Sequence, residues 1–315
     1  MSEANPPTDQ IPPLSFKVIQ DQQRSVVEQY LLINDLLCQI PDSARDQVVV
    51  VGGQALMFWS MKYAQTRPSP LEFSEDETIA IASMDLDLFA KDKQAIEACA
   101  RRWAGKATYP AIDDNTPQSA IVLLNLPEEE EPYKIDFMES VQGVPQKHIE
   151  AFWDGFELGG EIVRFLSPPL CLASRIHNFA TLGYGPDKAA REAIRISAAI
   201  KITKSYLSEL LDEYYVGNNE GVPRHALNIL KFLSQLFEHN DTVEAAIGAN
   251  VDPTFCIPPA HRGWPKKTRD EHIPRIIAKA HDKYRRRAKL RQRHLKLGKT
   301  VPLGMNRWLP PDNIA

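Results

Sequence analysis

Apolar positions follow two different periods along this chain. In its first half they come as short runs, at 48–51, 84–89, 119–126 and 133–138. Runs of four to eight residues that are rich in β-branched and aromatic side chains and bounded by Gly, Pro or polar clusters read as strands. Two further short strands are expected on either side of the glycine-rich stretch 155–160, the second ending at Phe165. In the second half the apolar positions recur every three or four residues, as Ile194, Ala198, Ile202 and Leu207 do over 187–215, and this is the spacing of a helix with one buried face. Ser167-Pro168-Pro169 is an N-cap with a proline-led start, so a helix is expected over 170–182, broken by Gly183-Tyr184-Gly185-Pro186. Another is expected over 223–237, and one with intermittent apolar positions over 271–297. In the first half the same spacing predicts a long helix over 16–40, carrying Val26, Tyr30, Ile33 and Leu37, and short ones over 54–63 and 95–103.

Together these elements predict an α+β chain. A small mixed sheet flanked by helices would occupy 16–166, a helical second domain 167–255, and a basic C-terminal arm containing one helix 256–315. Residues 1–15 are polar and proline-rich and are expected to be disordered.

Charge sharpens that division. The net charge is -4 over 315 residues, but residues 261–300 hold 15 Lys/Arg against 3 Asp/Glu. The rest of the chain is therefore strongly acidic. Arg285, Arg286, Arg287, Lys289, Arg291 and Arg293 make this segment a candidate surface for nucleic-acid phosphates, although a basic run also serves simply as a solvated helix face. Trp264 and Trp308 bracket it and are available for base stacking. No apolar run approaches the ~20 residues that cross a bilayer, and the N-terminus lacks a signal-peptide core. A cytoplasmic protein without a membrane partner is expected. The four cysteines are widely spaced, which predicts reduced, structural thiols and no zinc site.

Candidate chemistry gathers at 48–56 and 84–89. The valine run ends in Gly52-Gly53, where a helix begins. Glycine lets the backbone turn sharply and approach a ligand closely, and the free N–H groups of a helix start favour phosphate. Asp85 and Asp87 stand two apart in an expected strand, so both carboxylates project from one face. Two adjacent buried anions need a cation or a shared proton, and Mg2+ binds through one or two carboxylates plus substrate phosphates. Asp136, between Ile135 and Phe137, offers a third carboxylate on a separate strand. Three such groups suit a pair of metals about 3.5–4 Å apart. Lys134 shares the face of Asp136, either as a nucleotide contact or as an ordinary surface partner.

Gly52-Gly53, Asp85-x-Asp87 and the apolar-Asp-apolar strand at Asp136 resemble the nucleotidyltransferase fold of the DNA polymerase β superfamily. Within it they most resemble the minimal nucleotidyltransferases that include abortive-infection type toxins. The resemblance covers roughly 48–138 and implies a nucleotidyltransferase-type sheet. It implies that the glycines contact nucleotide phosphates, that Asp85 and Asp87 bind magnesium and triphosphate, and that Asp136 assists the incoming nucleophile. The superfamily's triphosphate-contacting lysine has no match here; its place on the helix falls to Arg175. The resemblance further implies an NTP substrate, a two-metal Mg2+ site, an acceptor that is RNA (tRNA among the candidates), protein or a small hydroxyl compound, and, for a toxin, an antitoxin partner. The chain departs from the pattern in the length of the insertion at 67–83, which contains Glu75-Asp76-Glu77. A catalytically silent binding module of the same fold is the competing reading.

Overall fold

The computed structural model describes residues 26–66, 69–111, 113–114, 116–127, 131–216 and 222–297. The expected disordered segment 1–15, the first part of the helix expected over 16–40, the acidic residues 128–130 and Trp308 lie outside the described residues. Along the described chain run α1 (Val26–Cys38), α2 (Asp42–Arg45), β1 (Val49–Val50), α3 (Gly52–Gln65), α4 (Glu75–Ile81), β2 (Leu86–Phe89), α5 (Lys93–Arg102), β3 (Lys106–Thr108), β4 (Gln118–Leu124), β5 (Tyr133–Met138), α6 (Gln146–Ala151), β6 (Trp153–Leu158), β7 (Glu161–Leu166), α7 (Pro168–Thr181), α8 (Pro186–Val216), α9 (Arg224–Glu238), α10 (Asn240–Gly248) and α11 (Ile273–Lys296).

Seven strands form one mixed sheet in the order β3-β4-β5-β2-β1-β7-β6. At its centre β1 is antiparallel to β2 and parallel to β7, while β2 is parallel to β5. The central strands are short and apolar because both faces are covered: Val50, Leu88, Ile135 and Phe137 are all fully buried. From α3, Trp59 packs edge-on against Phe156 of β6 and Tyr206 of α8, and its indole N–H donates to Leu166 O at 2.9 Å. The buried apolar residues from Ile33 to Ala288 form one continuous cluster, so the sheet and the helices after residue 167 share a core.

Two segments gain detail here. The insertion at 67–83 carries a helix, α4, whose N-terminus is a capping box: Ser74 accepts from Glu77 N, and Glu77 accepts from Ser74 N. Glu75, Asp76 and Glu77 occupy its first turn, where the helix dipole favours negative charge. Glu77 is buried and paired with Lys201 of α8 at 2.7 Å. The acidic run is therefore a helix start that fastens the insertion to α8.

The basic segment is likewise fastened to the rest of the protein. Trp264, Ile273, Ala280, Tyr284 and Ala288 are buried in the common core. Trp264 donates to Pro258 O at 2.8 Å, so it is engaged in packing instead of presenting a stacking surface. Buried His281 on α11 bonds Asp252 at 2.7 Å, which ties the helix to the body of the protein. Among the described residues no helix is long and apolar enough to cross a membrane. Of the four cysteines, Cys99, Cys171 and Cys256 are buried, and all four are free thiols.

Candidate active site

Strand register brings two of the three aspartates together. In the parallel β2–β5 pair, Asp87 lies directly opposite Asp136. Paired residues of neighbouring strands point to the same face, with backbones roughly 4.8 Å apart. Leu86, Leu88, Ile135 and Phe137 turn to the other face and are buried. Asp85 does not belong to the strand, contrary to the expectation from its i,i+2 spacing: it sits in a bend one residue before β2 and is exposed.

The segment that delivers Asp85 is held through a series of backbone carbonyls. Arg195 donates to Ala80 O at 2.6 Å, Arg191 to Ala82 O at 3.0 Å, Gln54 to Ser83 O at 2.6 Å and Gln29 to Met84 O at 2.5 Å. Tyr133 on β5 reaches the same Met84 carbonyl at 3.3 Å. Side chains from α8, α3, α1 and β5 therefore fix the entry to β2. A helix C-terminus leaves carbonyls without intrahelical partners, and the two arginines of α8 satisfy those of α4.

Gly52 has φ +65°, a conformation that costs most L-residues about 1–2 kcal/mol. A side chain there would also collide with the Asp87 carboxylate, and one on Gly53 would collide with Ser83 Oγ. The glycines thus let the start of α3 pass directly against the acidic residues. The first amide groups of α3 have no carbonyl one turn earlier to bond and carry the positive end of the helix dipole.

Crowding is visible in Asp87. Its pKa is raised to about 6, first by burial and then by the charges of Asp85 and Asp136; Arg175 and Lys134 oppose the rise. Asp136 itself is engaged at one oxygen, with Lys134 Nζ 2.9 Å and Gln118 Nε2 2.6 Å from Oδ1. Among the described residues no three His, Cys, Asp or Glu side chains converge as a ready-made metal cage. The donors present nonetheless fit a hard cation that takes one or two carboxylates and completes its shell with water and substrate oxygens. Repulsion within the cluster is what such a cation would relieve.

The elevated pKa predicts how stability changes with pH. An acid whose folded pKa lies above its unfolded value of 3.8 holds a proton in the folded state that the unfolded chain has lost. Its contribution is therefore lost as pH rises from about 4 through about 6, and the cost above that range is on the order of 3 kcal/mol. In metal-free buffer, Asp87→Asn is expected to melt higher than wild type at pH 7.5, with the difference shrinking toward pH 4. Thermal melts across that range, with and without Mg2+, check this; an equal difference at both pH values would contradict it.

A cluster of basic residues faces the carboxylates. Arg175 on α7 is buried and lies 3.3 Å from Glu192, and Arg195 pairs with the same Glu192 at 2.6 Å. Arg191 is adjacent, with its pKa lowered by burial and by Arg195, and its Nε is buried without a partner. Two guanidinium groups thus share one buried carboxylate, with Arg191 donating instead to Ala82 O. Arg175, anticipated from the sequence, is committed to Glu192. Arg191 and Arg195 were not anticipated, although Arg191-Glu192 and Arg195 at helical spacing on the expected 187–215 helix were a readable signal.

Of the six basic residues expected to form a nucleic-acid surface, Arg291 is an exception: it is buried and paired with Glu244 of α10. Arg287 pairs with the same carboxylate at 2.5 Å, and Arg286 with Asp282 at 2.5 Å. Arg285, Lys289 and Arg293 are exposed and, at i, i+4 and i+8, share one helix face. A cleft of about 510 Å³ between the 140–145 turn, α7, α9 and α10 is lined by residues that include His148, His177, Phe232 and Asp241, but by none of the three aspartates.

The class defined by this fold and site is an α+β protein that sets a glycine-started helix against paired aspartates on adjacent parallel strands. Two solved structures are similar to parts of it. One is an antigenic nucleotidyltransferase-like protein from Paracoccidioides brasiliensis, with 15% identity and a TM-score of 0.35 over 55% of this chain and 76% of that one. The other is the Megavirus polyadenylate synthase, with 14% identity and a TM-score of 0.36 over 63% of this chain and 39% of that one. The likeness is one of chain course alone. No protein-family model matches the sequence, and no curated protein matches it.

Proposed function

We propose that the protein is a magnesium-dependent nucleotidyltransferase that moves a nucleoside monophosphate from an NTP to an acceptor. The observation that supports this most is the parallel register of Asp87 and Asp136 beside the side-chain-free start of α3. Carboxylates gathered at this density are poorly suited to a purely structural role, because each one burdens the others. The amides at the start of α3 meet phosphate oxygens. Arg191 offers the buried donor that lacks a partner, and Arg175 and Arg195 keep the surrounding potential positive. Asp136 takes the proton of an acceptor hydroxyl, whose oxygen attacks the α-phosphorus; the bond to the bridging oxygen breaks and pyrophosphate leaves. Magnesium held by Asp85 and Asp87 would neutralise charge that develops on the reacting phosphate oxygens.

RNA is the preferred acceptor class, on the strength of the exposed Arg285, Lys289 and Arg293 face. A role as a toxin countered by an antitoxin protein rests on the sequence resemblance alone. The engagement of Asp136 Oδ1 by Lys134 and Gln118 favours a second reading, in which the fold binds NTP or nucleic acid without turnover.

Incubation with each of the four α-labelled NTPs, Mg2+ and total RNA distinguishes these readings. Metal-dependent label on RNA, absent with Asp85→Asn/Asp87→Asn, is the expected result. Label on protein or a small acceptor would move the acceptor class, and no label on any acceptor would overturn the transferase reading.

A further inference from the structure

We infer that Gln118 is a positioning residue for Asp136, placed by a break in strand register and oriented by Thr116; this inference rests on the transferase reading above. Between β4 and β5, Gln118 pairs with Met138 while Ala120 pairs with Phe137, so β4 contains one extra residue at Ser119. Such bulges redirect side chains and recur beside active sites. Here the redirection is specific. Ala120 and Val122 are fully buried on the core face, and unbroken alternation would send Gln118 to that face as well. The extra residue moves it to the opposite face, where Ile121 lies across from Asp136.

The bulge is fastened in place. Ser119 Oγ lies 2.9 Å from Ala90 O and 3.1 Å from Phe137 O, at the ends of β2 and β5. Gln118 has a determined amide orientation too. Thr116 Oγ1 lies 3.3 Å from Gln118 Oε1, so the hydroxyl donates to the amide oxygen and the amide nitrogen is left to donate. It does so to Asp136 Oδ1 at 2.6 Å, the oxygen that also faces Lys134 at 2.9 Å. With both N–H donors on Oδ1, Oδ2 is the oxygen presented to an acceptor proton or a cation. A carboxylate held by one edge cannot rotate its other oxygen away from the reacting hydroxyl. A short chain of contacts from Thr116 through Gln118 thus sets the aim of the proposed base.

Gln118→Met keeps the length and bulk of the side chain and removes the donor. It is expected to lower kcat about tenfold to a hundredfold, with the NTP KM and the melting temperature unchanged. Thr116→Val, which removes only the hydroxyl that orients the amide, is expected to lower kcat severalfold with the same unchanged KM. A purely structural role would lower the melting temperature and leave kcat of the remaining folded protein intact. The inference is overturned if Gln118→Met turns over within about twofold of wild type, or if its loss appears in KM or stability instead of kcat. A wild-type protein that transfers no nucleotide would overturn the transferase reading and this role with it, whereas an active wild type with an indifferent Gln118→Met would overturn this role alone.

Discussion

Asp87→Asn is expected to reduce nucleotidyl transfer about a thousandfold, equivalent to roughly 4 kcal/mol of lost transition-state stabilisation, while making the metal-free protein more stable. These opposite signs follow from one arrangement. Asp87 is driven toward protonation by burial and by Asp85 and Asp136, so neutralising it removes repulsion from the fold. The same substitution removes a carboxylate from the place where a cation and a triphosphate would meet. Residues kept for function often cost stability in this way. Kinetic assay and thermal melting on the same preparation check both halves. A variant that loses stability along with activity would show that Asp87 serves the fold.

Gly52→Ala is expected to show the second largest effect, with both quantities falling. The left-handed backbone at Gly52 disfavours any side chain, and a methyl group there meets the Asp87 carboxylate directly. The conformational cost is about 1–2 kcal/mol, and displacing Asp87 by even 1 Å is expected to cost about a hundredfold in turnover. Because the strain has two sources, a double-mutant cycle separates them. Gly52→Ala in an Asp87→Ala background should recover the part of the stability lost to collision and retain the part due to φ. Full additivity of the two substitutions would show that the methyl group and the carboxylate do not meet.

Much of the sheet was legible in the sequence because strand signals are local. Residues 133–138, a run of β-formers around Asp136, form the strand at the expected limits. The helix predicted over 187–215 is observed as Pro186–Val216, since its apolar period persists for many turns. What was not legible depended on pairing. No periodicity states that Asp87 lies across from Asp136, because register is a property of two strands. Nor does composition reveal that Ser119 is an extra residue that turns Gln118 toward the site. Asp85 was placed inside the strand by its i,i+2 spacing, but the chain is still turning there, held by Gln29 and Tyr133 through Met84 O. The insertion at 67–83 read only as an unusually long gap, because the capping box at its acidic triplet 75–77 has the same composition as a surface charge run. Arg291 had the same appearance: its burial against Glu244 is set by α10, about fifty residues away in sequence.

The central claim is that Asp85 and Asp87 hold a divalent cation together with a triphosphate. Isothermal titration with non-hydrolysable NTP analogues measures this without requiring an acceptor. Wild-type protein is expected to bind an analogue saturably in Mg2+, to bind it much more weakly in EDTA, and to lose the Mg2+-dependent part in the folded Asp85→Asn/Asp87→Asn variant. Equal binding by wild type and variant, or binding indifferent to Mg2+, would contradict the account.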